Sequence, residues 1–356
     1  MKKVLLVEPK RSKKYHTAYP PLGLLKLSAY HKRKNDEVRF VQGFSDDSFN
    51  PDCIYITSLF TYAYEPVHDV IKYYSEKYKS AEVTVGGIYA TLCSDHLKNT
   101  FKDRIKVCKG IRNDVEDILP DYSLVPDWDA SILFASRGCV RACPFCSVPK
   151  IEPQYKAKES IKHLIYPEHK RIILWDNNFL ASQYKDKILD ELAESKLIVD
   201  FNQGLDARYL DEETVIRLKR LKIQVARLAY DSDGIKPHLE KAIKMLNQVK
   251  IRGRRIIVYC LYNHYDSPEN FLNRVKDLME WGVAVYPMRF EPLEPRHKNT
   301  YVSENWTAEE LEMIAKARRV IGFRGAFPPY EGLRRKIIDA KDFREAFELR
   351  PESVKL

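Results

Sequence analysis

A chain of 356 residues, 44% of them apolar, can bury a large core, which excludes disorder as its resting state, and its length favours two domains over one. No apolar run approaches the roughly 20 residues of a membrane span, and the start MKKVLLVEPK is too briefly apolar for a signal peptide, so a cytoplasmic protein with no membrane partner is expected. The net charge of +10 is spread over short patches, KRSKK from Lys10, HKRK from His31, RLKRLK from Arg217 and RGRR from Arg252, which read as solvated faces ahead of a nucleic-acid surface.

The first third alternates strands and helices. KKVLLVEP is an apolar run of strand length, and PPLGLLKLSAYHKRK places apolar residues at helical spacing behind a Pro-Pro start. Further strands follow in EVRFVQGF, CIYITSLF, EVTVGG and RIKVCKGI, with a long helix in EPVHDVIKYYSEKYK between the third and the fourth. Strands that are apolar throughout and joined by helix-length connections indicate a parallel sheet covered on both faces, hence a Rossmann-like domain over 1–125. The segment DILPDYSLVPDWDA, with two prolines, several aspartates and no sustained period, marks the boundary.

A second series begins near residue 126 and runs to about 300. Its strands are SILFAS, RIILWD, LIVDFN, QVARLAY, RIIVYCLY and VAVYPMRFEP, separated by helices such as YKDKILDELAESK, DEETVIRLKRL and SPENFLNRVKDLMEWG. Six units are too few for an eight-fold barrel, so a partial β/α barrel is expected, followed by a helical C-terminal extension over 301–356. Polar residues gather at the C-terminal strand ends, where a barrel carries its function: Asp176, Asn177 and Asn178, then Asn202, Gln203, Asp206 and Arg208, then Arg227, Tyr230 and Asp231, then Asn263 and His264, then Arg289 and Glu291. In FNQGLDARYLDEE, helix capping accounts for Asp211, Glu212 and Glu213, whereas Gln203, Asp206 and Arg208 are expected to touch substrate or cofactor.

On the loop leaving the first barrel strand, GCVRACPFCSVP brings Cys139, Cys143 and Cys146 within eight positions, while the other four of seven cysteines are scattered. In a reducing compartment, clustered thiols more often bind metal than pair. Three thiolates can hold three irons of a [4Fe-4S] cluster and leave the fourth iron open for reaction. Structural zinc would want a fourth ligand, and His163, His169 and Cys260 lie at a distance along the chain. Arg137 and Arg141 flank the loop with positive charge that favours thiolates.

The C-x3-C-x2-C spacing, with aromatic Phe145 just before the last cysteine, resembles the signature of the radical S-adenosylmethionine superfamily. The resemblance implies that Cys139, Cys143 and Cys146 bind the cluster, that its open iron chelates S-adenosylmethionine, and that reductive cleavage yields a 5′-deoxyadenosyl radical. It also implies an electron donor such as flavodoxin or ferredoxin. ILWDNNFL is similar to the family's second-strand segment, giving Asp176, Asn177 and Asn178 the methionine amino group. Phe145 would lie beside the adenine, and Arg227, Tyr230 or Asp231 would face the methionine carboxylate or the ribose. The glycine-rich fifth-strand pattern of many members is absent from IIVYCLYNHY.

PPLGLLKLSAY, CIYITSLFTYAYEPVHDVIKYY and VTVGGIYATL resemble segments of the cobalamin-binding domain that precedes many such barrels, with Gly86 and Gly87 admitting the nucleotide tail or simply turning the chain. The Asp-x-His-x-x-Gly motif of the methionine synthase type is missing: His16 has no aspartate two before it and no glycine three after. Bound cobalamin and a cofactor-free scaffold both stay open. The resulting expectation is a radical enzyme performing methylation or another radical modification on an unidentified substrate. Two alternatives stand beside it. One is a transfer-RNA methylthiotransferase using Cys53, Cys93 and Cys108, although Cys53 and Cys108 fall in apolar strand patterns. The other is a non-catalytic, metal-stabilised nucleic-acid-binding module, for which no reading helix or aromatic-interleaved basic motif is found.

Overall fold

The computed structural model describes residues 1–10, 19–46 and 48–349. His16 and most of the Lys10 basic patch lie outside the described residues.

Five strands, β1 (Lys3–Glu8), β2 (Glu37–Gln42), β3 (Cys53–Ser58), β4 (Glu82–Gly87) and β5 (Lys106–Cys108), form one parallel sheet in the order β2-β1-β3-β4-β5. Alternation along β1 explains why it reads as apolar throughout. Val4 and Leu6 pack against Leu24 and Leu27 of α1 (Leu22–Lys32), while Leu5 and Val7 face Val67, Val70 and Ile71 of α2 (Tyr64–Lys77) on the other side. Each such side chain contributes about 1.5–3 kcal/mol by leaving water. Edge strand β2 is covered less and alternates between exposed and half-buried residues. Because α1 and α2 cover opposite faces, the connections diverge between β1 and β3, which opens a crevice at the C-terminal ends of those strands.

The second sheet series starts at β6 (Ala130–Leu133). A short antiparallel pair, β7 (Ser136–Arg137) with β8 (Lys156–Ala157), then closes the base of the loop that carries the three cysteines. Strands β9 (Arg171–Leu174), β10 (Ile198–Phe201) and β11 (Lys222–Ile223) extend β6 in the parallel order β11-β10-β9-β6, and β12 (Ala226–Tyr230), β13 (Ile256–Tyr262) and β14 (Ala284–Arg289) form a second parallel group. The segment expected as one strand, QVARLAY, is thus preceded by an additional short strand, and β10 pairs with β11 rather than β12. The two groups are stitched by the Leu205 amide donating to the Arg227 carbonyl (2.8 Å) and by the Arg227–Asp200 ion pair.

The C-terminal helices belong to the barrel's own core. Leu311 and Ile314 of Ala308–Val320, Ile337 of Glu331–Asp339, and Phe343 and Phe347 share one apolar cluster with Leu228, Val258 and Val285. Phe327 also pairs with Val285 as an antiparallel bridge. Among the described residues, no helix is long and apolar enough to cross a membrane.

Candidate functional site

The strand ends of both domains open onto one cavity of about 1150 Å³. The N-terminal domain supplies Glu8, Ser58, Gly86, Gly87 and Gly110, and the barrel supplies the cysteine loop with the ends of β9, β10, β12 and β13. All three of Cys139, Cys143 and Cys146 line it, each half-buried.

The loop is shaped for sulfur. Gly138 adopts φ +76°, and a Cβ there would stand 2.4 Å from the Gln154 carbonyl oxygen, so the turn that presents Cys139 excludes a side chain. The Arg141 amide donates to Cys139 Sγ (3.4 Å), the Val148 amide to Cys146 Sγ (3.5 Å), and Asn178 Nδ2 reaches Cys139 Sγ at 3.8 Å. Such donors stabilise negative sulfur. Burial pushes the Cys143 and Cys146 thiols up, with Asp231 and the neighbouring thiols adding to it, and metal binding would offset that cost. Among the described residues, no group of three or more His, Cys, Asp or Glu is placed to hold a single ion. Three thiols on one wall, with hydrogen bonds to sulfur and no fourth ligand among them, suit the three separate iron corners of a [4Fe-4S] cluster.

Asp206 ties the loop to the barrel. It caps a short helical turn by accepting from the Arg208 amide (3.1 Å), and it accepts Arg208 Nε (2.7 Å) and Nη2 (3.0 Å), Asn178 Nδ2 (3.1 Å) and Arg141 Nε (3.3 Å). Burial works to raise its pKa, but the Arg208 bonds outweigh that and hold the carboxyl below the usual range. Gln203 and Arg208 also line the cavity, and Gln203 donates to Asn202 Oδ1 (3.1 Å). Asp206, expected to touch substrate or cofactor, lines the cavity as well, with its oxygens engaged by Arg141, Asn178 and Arg208.

The β9 end divides in two. Asn177 and Asn178 line the cavity, and the buried Asn178 leaves its Oδ1, itself shielded from solvent, with no hydrogen-bond partner. Asp176 is a correction to the sequence expectation. It lies behind the wall, buried, accepting from the amides of Ala135 (3.1 Å) and Ser136 and from Ser136 Oγ (2.7 Å), and burial pushes its carboxyl up to about 6. It shapes the chain after β6 and does not line the cavity. Arg227 and Tyr230 are likewise corrected: Arg227 pairs with Asp200, and Tyr230 is buried, stacks on Trp281 and donates to Asp277 (2.8 Å). Neither lines the cavity: the two lie on opposite faces of β12, Arg227 held by Asp200 and Tyr230 packed into the barrel core.

Asp231, one residue on, lines the cavity, and burial raises its carboxyl to about 6 against the lowering effect of Arg274 and Arg208. An anion there suits ribose hydroxyls and disfavours the methionine carboxylate. Phe145 lines the same end and meets His264 edge to face at 5.7 Å, which leaves a ring face for a base.

On the N-terminal side, Gly87 has φ +109°, and a Cβ would fall 2.1 Å from the Ser58 carbonyl oxygen, so the chain's own packing requires this glycine. Gly86 is freer: its Cβ would sit 3.7 Å from that of Cys108. The bare backbone of these strand ends fits a broad flat group laid across the crevice.

Cys53, Cys93 and Cys108 are not brought together. Cys53 pairs in register with Glu82 at the start of β4 and Cys108 with Gly86 towards its end, about 13 Å along the strand direction. Cys93 is buried, its thiol donating to the Leu293 carbonyl (3.5 Å). Residues that sequence reasoning passed over include Glu152, Lys26 and Glu116, all cavity-lining, whose partners are distant in sequence.

No family model matches the sequence, and no curated protein matches it. Among solved structures, the chain is similar to the radical S-adenosylmethionine methyltransferase TsrM from Kitasatospora setae, solved with cobalamin and a [4Fe-4S] cluster bound. The TM-score is 0.63 at 14% identity, over 83% of this chain and 76% of that one. At the level of fold, this chain therefore shares the architecture of that protein, a Rossmann-like domain joined to a partial β/α barrel whose cysteine loop faces the domain in front of it.

Proposed function

We propose that this protein is a radical S-adenosylmethionine enzyme that transfers a methyl group, or makes another radical modification, with cobalamin held by its N-terminal domain. The observation that carries this reading is one cavity fed by three cysteines without a fourth on the barrel side and by bare strand ends on the other. When bound, the cluster and S-adenosylmethionine supply one-electron cleavage of a sulfonium carbon–sulfur bond. Cys139, Cys143 and Cys146 would hold the cluster, and the amides of Arg141 and Val148 steady the sulfurs. Asn177 and Asn178 would meet the amino group, Phe145 would flank the adenine and Asp231 would orient the ribose, while the apolar walls keep water out. Gly86 would let cobalamin approach the β4 end. The electron would come from a small donor of the flavodoxin or ferredoxin type.

The test is anaerobic reconstitution with iron and sulfide. Four irons per chain and absorbance at about 400 nm are expected, with methionine and 5′-deoxyadenosine released from S-adenosylmethionine under reduction. One zinc and no iron would refute the reading. Incubation with hydroxocobalamin followed by desalting checks the second cofactor. Retention of a corrinoid band supports it, and a colourless protein reduces the N-terminal domain to a scaffold.

A further inference from the structure

A chain of buried and part-buried charges runs from the N-terminal domain to the residue before the first cysteine. Lys26 on α1 is 6% exposed, and its Nζ donates to the Glu116 carbonyl (2.6 Å) and Oε2 (3.2 Å). Glu116 Oε1 stands 3.7 Å from Arg137 Nε, and Arg137 Nη2 pairs with Glu152 Oε1 at 2.7 Å. The other Glu152 oxygen accepts the Gly138 amide (2.5 Å) and Asn177 Nδ2 (3.1 Å). Arg137 also lies 3.7 Å over the Phe134 ring, which fixes its fork between the two acids.

We infer that Glu152 is a positioning residue for the cluster, and that Arg137, Glu116 and Lys26 make the N-terminal domain part of the apparatus that presents Cys139. This rests on the reading of the cysteine loop given above. Gly138 is held in a left-handed turn against Gln154, and its amide is aimed at Glu152. A carboxylate buried to 8% exposure with three donors on it is rigid, so the turn it holds is rigid too. Loss of the carboxylate frees the Gly138 amide, leaves Arg137 without its closest acid and lets Cys139 wander from its cluster-binding position. Removing Lys26 leaves Glu116 as a part-buried anion that competes with Glu152 for Arg137.

The direct measurement is hydrogen exchange of the 137–142 backbone in the apoprotein, which needs no cluster. Glu152→Ala is expected to speed exchange at Gly138 at least tenfold, and Lys26→Met several-fold, with protection of the β9 and β13 strands unchanged. Reconstituted Glu152→Ala should bind less than a third of the wild-type iron. Glu152→Gln, whose amide oxygen still accepts the Gly138 amide, should restore iron binding while raising the cluster's midpoint potential, because a nearby negative charge is gone. Equal exchange at Gly138 in wild type and Glu152→Ala would overturn the inference. Protection lost throughout the barrel, without rescue by glutamine, would also overturn it by making Glu152 a general fold residue. Unchanged exchange in Lys26→Met would sever the N-terminal domain from it. Wild-type protein that takes up no iron refutes the proposed function instead, and the exchange measurement still decides whether Glu152 holds the loop.

Discussion

Asp206 illustrates why a charged residue at a strand end is an ambiguous sign. Its position beyond Gly204 points to contact with substrate or cofactor, and it does line the cavity, yet its two oxygens are shared among Arg141, Asn178 and Arg208. Asp206→Ala should therefore cost about 2 kcal/mol, because it strands two partly buried guanidinium groups, and should also lower iron binding and S-adenosylmethionine cleavage. Arg208→Ala should keep the cluster and uncoupled cleavage and weaken only product formation, since its guanidinium is about a third exposed to the cavity. Melting curves, iron content and cleavage measured together check both. Cleavage per folded molecule at the wild-type level in Asp206→Ala would remove its role at the loop. At the same scale, Cys139→Ala, Cys143→Ala and Cys146→Ala should each abolish cluster absorbance, because the loop offers no spare thiol. A cluster that survives any one of them would refute the assignment.

The elements of the N-terminal domain separate structural need from ligand need. At the β4 end, Gly87→Ala forces a Cβ onto the Ser58 carbonyl oxygen at positive φ and should destabilise the domain by about 2–4 kcal/mol. Gly86→Ala meets only ordinary contact, so its stability should hold while corrinoid retention falls. Thermal melts paired with the desalting assay test this, and Gly86→Ala with full retention would move the corrinoid away from β4. Behind that edge, His68 on α2, Tyr89 on α3 (Ile88–Leu92) and His96 on α4 (Ser94–Phe101) form a hydrogen-bonded chain of 2.8 and 2.7 Å. Burial, then the nearby His96, depresses His68 to about 4 against a smaller raising effect of Asp69. A depressed base adds stability that is complete above its unfolded pKa of about 6.5 and disappears as pH falls through about 4. The wild type should thus lose about 2 kcal/mol over that window relative to His68→Gln, less than the full shift implies because the ring is part exposed. Denaturation midpoints at pH 7 and pH 4 measure it, and parallel losses in both proteins would clear His68 of the effect.

For the molecule as a whole, local pattern was enough to read the parallel sheet, the six barrel strands and the cysteine loop, because apolar period and cysteine spacing are short-range signals. What it could not resolve was the direction of each strand-end side chain. Asp176, Arg227 and Tyr230 lie outside the cavity lining while Asn177, Asn178 and Asp231 lie in it, and the course of the chain just beyond each strand, together with long-range partners such as Asp200 and Asp277, decides which. Nor could it resolve pairs such as Lys26 with Glu116, which are 90 positions apart and meet only when the end of the N-terminal domain packs back on α1. The extra strand β11 was missed for a similar reason: two residues carry no period, and only their pairing with β10 defines them. The shared cavity has a thermodynamic consequence. A ligand seated between two domains that are bridged by buried charges stabilises both at once, so binding should raise a single melting transition rather than one of two. At a hundredfold excess of S-adenosylmethionine over its Kd, the gain for the reconstituted protein should be about 2.7 kcal/mol. Calorimetry with and without S-adenosylmethionine reads this directly: one peak moved upward by several degrees is expected, and a split profile in which only one component shifts would show that the cavity is served by the barrel alone.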